Sequence, residues 1–282
     1  MIKKKLTYAA IKGLFLLSAF SFLLSSCQQD DDFAPQEQDQ VIRIATRSTS
    51  DAGAAKAFTD DFTMELWNDG THTTHHMTYT EGTGWNAIKV NKLGTSVIAF
   101  AHKGSSVTDI SYTDEWNYTV NLQFDQSSTE KLADADVMIA TGSVNTGSPL
   151  DLNFQHYYAK VTFNVELASE FYPGIDEISR FDVVTCDGDY VKPYVDGNSY
   201  TAVIPANPYF KAGVHFALVT INGKKLEVEI PDEYANPNGS FVAGTHYTFD
   251  LKVGKDKVIL TPAGTSTDFP GGWNNDSEVD LN

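Results

Sequence analysis

The chain has 282 residues, with 20 Lys and Arg against 37 Asp and Glu, for a formal charge of −17. That balance excludes a nucleic-acid partner, because neutralising phosphates requires a basic surface. A composition of 41% hydrophobic and 12% aromatic residues, with 20 Gly and 10 Pro, excludes disorder of the whole chain. The length allows one large or two small domains. The first segment, residues 1–26, has a basic start at Lys3, Lys4 and Lys5, then an apolar run from Gly13 to Leu24. A resident membrane helix needs roughly 20 apolar residues. This run is shorter and reads as a secretory signal peptide.

The signal ends in Leu24-Ser25-Ser26-Cys27, which resembles the lipobox of bacterial lipoproteins. The small residues suit a lipoprotein signal peptidase, and the Cys27 thiol is the expected site of lipidation before cleavage. Loss of residues 1–26 removes four Lys and no acid, leaving 16 basic against 37 acidic residues, or −21. Residues 27–40 then form an acidic tether. Its start, Gln28-Gln29-Asp30-Asp31-Asp32, is similar to the acidic signal that exports lipoproteins of Bacteroidota to the outer face of the outer membrane. A segment of Gln, Asp, Glu and Pro cannot bury enough surface to order itself. The second of the two cysteines, Cys186, has no partner once Cys27 carries lipid, so no disulfide is expected, and Cys186 reads as a buried thiol in a strand.

Beyond the tether, side chains alternate with period two, which places neighbours on opposite faces of a sheet. The alternating sets are Phe62, Met64, Leu66; Tyr118, Val120, Leu122, Phe124; Leu150, Leu152, Phe154; Val161, Phe163, Val165, Leu167; and Leu226, Val228, Ile230. Tyr247, Phe249, Leu251 and Val253 form a late strand, Gly254 to Lys257 a turn, and Val258 with Leu260 the return. Only Thr129 to Ala135 suggests a turn or two of helix. The expected fold is all-β, built of antiparallel sandwiches. The stretch Thr141 to Pro149 carries no core pattern and is taken as an interdomain connection, giving domains 41–148 and 149–282.

Sites for chemistry are scarce. His72-Thr73-Thr74-His75-His76 is the one histidine cluster, but Gly70 and the threonines suggest a loop or hairpin without ligand spacing. His156 shares a face with Leu152 and Phe154 and reads as a buried, hydrogen-bonded histidine at the domain interface. No nucleophile motif accompanies it, and with 37 acids a neighbouring carboxylate pair carries no information. The expectation is a protein that is not an enzyme, with no cofactor, no metal and no catalytic residue.

Several segments, taken in order, resemble a known family. Val97-Ile98-Ala99-Phe100-Ala101 matches one of its strands, and Ala135-Asp136-Val137-Met138-Ile139-Ala140 its "D-L-M-Y-A" segment. Leu152-Asn153-Phe154-Gln155-His156 through Ala159-Lys160-Val161-Thr162-Phe163 is similar to its "L-x-F-x-H-x-x-A-K-V-x-F" signature. Tyr200 to Pro205, Phe241 to Phe249 and Trp273 complete the set. The family is the fimbrillin-like proteins of Bacteroidota, the FimA and Mfa type of pilins and accessory subunits of type V pili.

The resemblance implies two tandem transthyretin-like β-sandwich domains, a surface-exposed outer-membrane lipoprotein, and a place in a fimbrium that mediates cell adhesion. It also implies assembly by strand exchange: an Arg-specific protease removes an N-terminal strand, and another fimbrillin subunit supplies a strand to the gap. In Val41-Ile42-Arg43-Ile44-Ala45-Thr46-Arg47-Ser48, Arg47 and then Arg43 are the expected processing sites, since each adjoins a β-prone segment and a Ser/Thr-rich loop. In the C-terminal tail only Val279 and Leu281 keep the alternation a donor strand needs. The alternative is a surface glycan-binding lipoprotein of a nutrient-uptake system, with Trp67, Trp85, Trp116 and Trp273 stacking on sugars.

Overall fold

The computed structural model describes residues 40–45, 61–68, 71–90, 96–103, 110–114, 117–143, 150–185, 187–206, 213–230 and 241–266. All of these lie within one compact unit, residues 37–282. Among the described residues no helix is long and apolar enough to cross a membrane.

The strands of the first half are β1 (Gln40–Ala45), β2 (Phe62–Asn68), β3 (Thr71–Met77), the short pair β4 (Tyr79–Thr80) and β5 (Gly84–Trp85), β6 (Ile88–Val90), β7 (Ser96–His102), the ribbon β8 (Ile110–Asp114) and β9 (Asn117–Val120), β10 (Met138–Ser143), β11 (Leu150–Asn153) and β12 (Gln155–His156). They build a three-stranded sheet in the order β11-β1-β6 and a five-stranded sheet in the order β12-β10-β7-β2-β3. The sheets face each other across one core. Ile42, Ile88, Leu150 and Leu152 come from the first sheet, and Phe62, Met64, Leu66, Ala99 and Met138 from the second. The alternation along β2 is therefore the pattern of one buried and one outward face.

The second half comprises β13 (Tyr158–Leu167), β14 (Ile178–Val184), β15 (Tyr190–Val191), β16 (Tyr194–Asp196), β17 (Ser199–Pro205), β18 (His215–Ile221), β19 (Lys224–Glu229), β20 (His246–Val253) and β21 (Val258–Ser266). Its sheets, β16-β17-β13-β20-β21 and β15-β14-β18-β19, enclose an aromatic core. Phe163 lies within 5.0 Å of Phe216 and 5.6 Å of Phe249, measured between ring centres. Burial of each such side chain contributes about 1.5–3 kcal/mol.

Three details go beyond the simple pattern. First, the sandwiches are largely antiparallel, as expected, and hold two parallel neighbours, β1 with β11 and β13 with β20. Alternation fixes which face a side chain takes and is silent on strand direction. Parallel neighbours need a crossover connection, and here most of each sandwich lies in the crossover. Second, Thr141 to Ser143 are not linker but the end of β10, paired with β7. Pairing of β11 and β12 carries the first sandwich through His156, past the expected boundary at residue 148. Third, the alternation from Tyr118 stops at Val120, and Phe124 is 49% exposed.

The helix is α1 (Thr129–Ala135), where the sequence places it. The Ser128 hydroxyl accepts the Lys131 N–H at 3.3 Å, capping its first turn, and Leu132 and Ala135 are buried beneath it. They belong to a third cluster that joins the two sandwiches. Trp67, Ile98 and Phe100 come from the outward face of the five-stranded sheet, and Tyr158 and Val203 from the second sandwich.

Buried polar bonds reinforce this junction. The fully buried Gln126 side chain donates to the Val203 carbonyl at 2.9 Å and to the Gln123 carbonyl at 2.8 Å, and accepts the Val203 N–H at 2.7 Å. Backbone bonds from Gln126 N–H to the Lys192 carbonyl (2.9 Å) and from Lys192 N–H to the Phe124 carbonyl (2.8 Å) run alongside. The Tyr158 hydroxyl donates to the Val120 carbonyl at 2.7 Å.

Candidate assembly site

β1 is the middle strand of its sheet, not an edge. Its residues Gln40 to Ile42 pair antiparallel with Ile88 to Val90, while Ile42 to Ala45 pair parallel with Leu150 to Asn153. Ile42 is fully buried in the first core. Gly142 of β10 lets β11 come close: a Cβ there would lie 2.7 Å from the Leu150 Cδ1 and 3.3 Å from the Leu152 Cδ2. Removing β1 would strip ladder partners from β6 and β11 together and vacate the space of Ile42. An open groove with two unpaired edges is the kind of surface that accepts an added strand.

Arg43 lies inside β1, opposite Asp151 in register. Cys27, Arg47, Val279 and Leu281 lie outside the described residues, as do Cys186, Phe269, Trp116 and Trp273.

Of the expected loop or hairpin, the histidine cluster takes the hairpin. Residues 71–77 form β3, an edge strand in register with β2. Threonine is at home in a strand, and the run of Thr and His lies along a sheet edge with His72 and His76 exposed. The sequence reading missed Glu65 of β2, which gathers this patch. Its carboxylate accepts from the Thr74 hydroxyl at 2.7 Å, lies 2.6 Å from His72 Nε2, and is 3.5 Å from Nε2 of the buried His102. Partial burial pushes the Glu65 carboxyl up, but the bonds from Thr74, His72 and His102 outweigh it and hold it below the usual carboxylate value. Partial burial pushes the His75 imidazole down, against the attraction of Glu65. Among the described residues no group of three or more His, Cys, Asp or Glu is arranged to hold a metal ion.

Both shifts are downward, so both groups contribute stability that is complete above their unfolded values and is lost as the pH falls through the folded ones. His75 begins to act just below its ordinary value of 6.5 and Glu65 below 4.5. The thermal midpoint is expected to fall between pH 7 and pH 5, and His75→Gln to flatten that interval. A midpoint as steep in the variant as in the parent would exclude His75 as the cause.

His156 is buried, and its Nδ1 lies 2.8 Å from Asp136 Oδ1 at the end of α1. A Cβ placed on Gly244 of the second sandwich would lie 3.8 Å from the His156 Cβ, so the histidine does sit where the halves meet. Trp67 is only 8% exposed, stacked on the His72 ring at 4.2 Å and edge-on to Phe100. Its indole is not open to a sugar. Trp85 is half-buried against Phe62 and Tyr79.

No curated protein sequence matches the chain. Among solved structures it is similar to a proposed cell adhesion protein from Bacteroides uniformis, with 13% identity, 83% of this chain and 99% of that one covered, and a TM-score of 0.48. It is also similar to the tip fimbrial protein Mfa3 from Porphyromonas gingivalis, solved with a C-terminal truncation (13% identity, 80% and 98% covered, TM-score 0.46). A fimbrial protein from Bacteroides ovatus shares 15% identity over 77% of this chain and 50% of that one, with a TM-score of 0.41. A family model described as fimbrillin-like matches residues 37–268, which take in both sandwiches. The family is one of pilus and adhesion proteins, which are not enzymes. The matched span and the all-β architecture agree, and the chain belongs to the fimbrillin-like family.

Proposed function

We propose that the protein is a surface-exposed outer-membrane lipoprotein and a pilus subunit or accessory adhesin, assembled with other fimbrillin subunits by strand exchange. In this reading residues 1–26 are removed by the lipoprotein signal peptidase, Cys27 carries lipid, and an Arg-specific protease cuts after Arg47. The observation that carries the reading is the central position of β1 with Ile42 fully buried. A strand at a sheet edge could leave without exposing much. One in the middle leaves a slot that demands refilling.

Arg47 is a better processing site than Arg43. It follows the last residue of β1, Ala45, so a cut there detaches the entire strand, whereas Arg43 is held in a backbone ladder. Proteases act on extended backbone free of such pairing. The donor strand is the tail, where Val279 and Leu281 repeat the alternate spacing of Ile42 and Ile44.

Mass spectrometry of protein from the producing cell tests the processing step. A filament-borne form beginning at Ser48, beside a membrane form beginning at lipidated Cys27, is the expected result. Filaments built only from chains that begin at Cys27 would overturn strand removal.

A further inference from the structure

The second sandwich has a far end. β13 starts at Tyr158, in the cluster that joins the halves, and runs ten residues to Leu167, a span of about 30 Å at the usual rise of a strand. Three connections meet there: the loop after β13 (residues 168–177), the β18–β19 turn at Asn222 and Gly223, and the β20–β21 turn at Gly254 to Lys257.

Side chains knit these connections together. The Glu170 carboxylate accepts the Lys255 N–H at 3.0 Å. The Asp176 carboxylate accepts the Tyr172 N–H and the Asn222 amide, each at 2.8 Å. The Lys224 ammonium donates to the Lys255 carbonyl at 2.8 Å and to Asp256 at 2.6 Å. At exposed positions such bonds add little stability. Their consequence is shape, since loops held in one arrangement on a rigid scaffold are where proteins place binding surfaces.

This end also has a chemical character. A pocket of about 520 Å³ is lined by Ala168, Glu170, Lys252, Lys255, Lys257 and Ile259, among others. Three lysines fall within six residues of a chain whose acids outnumber its bases 37 to 20. Two acids line the pocket as well and are engaged: Glu170 accepts a backbone N–H, and Asp256 pairs with Lys224, whose hydrogen bond holds that carboxyl below its usual value. Lys252 forms an exposed ion pair with Glu166 at 3.5 Å. Lys257 makes no ion pair among the described residues, and the Lys255 ammonium lies 5.8 Å above the Phe171 ring. Apolar surface is exposed at this end too: Ile259, in the pocket lining, is 47% exposed, and Tyr172 and Ile175, in the loop after β13, are 67% and 77% exposed.

We propose that this pocket binds a saccharide bearing a carboxylate, with the acid group between Lys252, Lys255 and Lys257 and the apolar face of a sugar ring against Ile259. Fixed cations favour the anion, and an aliphatic or aromatic surface beside them covers ring C–H groups. Neutral sugars lack the first contact. Simple inorganic anions lack the second. The site is independent of strand exchange, because every residue in it belongs to the second sandwich.

The test is calorimetric titration of the full chain in 0.15 M salt with sialyllactose, with trigalacturonate and with neutral lactose. The first two separate a sialic acid from a uronic acid as the source of the carboxylate. Saturable binding of either acidic probe, at least tenfold tighter than lactose, is expected. The double variant Lys255→Glu/Lys257→Glu should lose at least tenfold in affinity while its thermal midpoint stays unchanged, and Lys131→Glu on α1 should bind as the parent does. Binding of neither acidic probe, binding of lactose to the same extent, or undiminished binding by the double variant would each overturn the proposal.

Discussion

A chain that begins at Ser48 is expected to melt well below the full chain and to self-associate, and to recover when a peptide of residues 38–47 is added. Without β1, the strands β6 and β11 lose their common partner, and the space of Ile42 opens to solvent. Truncating a fully buried isoleucine to alanine costs about 2–5 kcal/mol through lost burial and a residual cavity. Putting a carboxylate in that position costs more, since a buried charge without a partner is among the most damaging single changes. The Ile42→Asp peptide should therefore fail to restore the midpoint where the parent peptide succeeds. Denaturation curves with increasing peptide measure this directly. A truncated chain as stable as the parent, or rescue by the Ile42→Asp peptide, would show that β1 is not the plug of this core.

Gln126→Ala should destabilise the protein by about 3 kcal/mol, because it leaves the buried N–H and carbonyl of Val203 without the partner they now have. The same substitution should change the form of unfolding. In the parent, Gln126, the Tyr158 hydroxyl and the cluster around Trp67 and Phe100 couple the sandwiches, so one cooperative transition is expected. With the glutamine gone, the coupling weakens and the transition should broaden or split into two. Urea unfolding followed both by tryptophan fluorescence and by far-ultraviolet dichroism distinguishes the cases: Trp67 and Trp85 report on the first sandwich, dichroism on both. Coincident and unshifted curves in the variant would show that the clamp carries no weight.

Much of the architecture is legible in side-chain order. Met64 and Leu66, Leu152 and Phe154, Val161 and Phe163, and Leu226 and Val228 are buried as their alternation requires. The helix at Thr129 begins where Ser128 can cap it. These features are local, and their causes lie within a few residues. Glu65, Gln126 and the loops at the far end of the second sandwich gave no signal, since a lone Glu or Gln in a strand or loop is ordinary until its partners are known. Those partners are distant: Glu65 meets His102, and Gln126 meets Val203.

The amino-acid sequence by itself determined the class of fold, the helix, the faces of most strands and the family. Each of these follows from periodicity and ordered segments that a single chain carries. Only the tertiary structure decided strand direction and order, the extension of the first sandwich through His156, and the place of β1 in the middle of its sheet. The physical reason is that period two assigns a side chain to a face without naming its neighbour. Neighbours are chosen by non-local hydrogen bonds and by core complementarity, such as the fit of Leu150 and Leu152 over Gly142. The same limit applies to charge. An excess of 17 acids over bases marks the whole chain as acidic; Lys252, Lys255 and Lys257 are neighbours already in sequence, and folding adds the Ala168 and Glu170 wall of their pocket and sets Lys224 on Asp256.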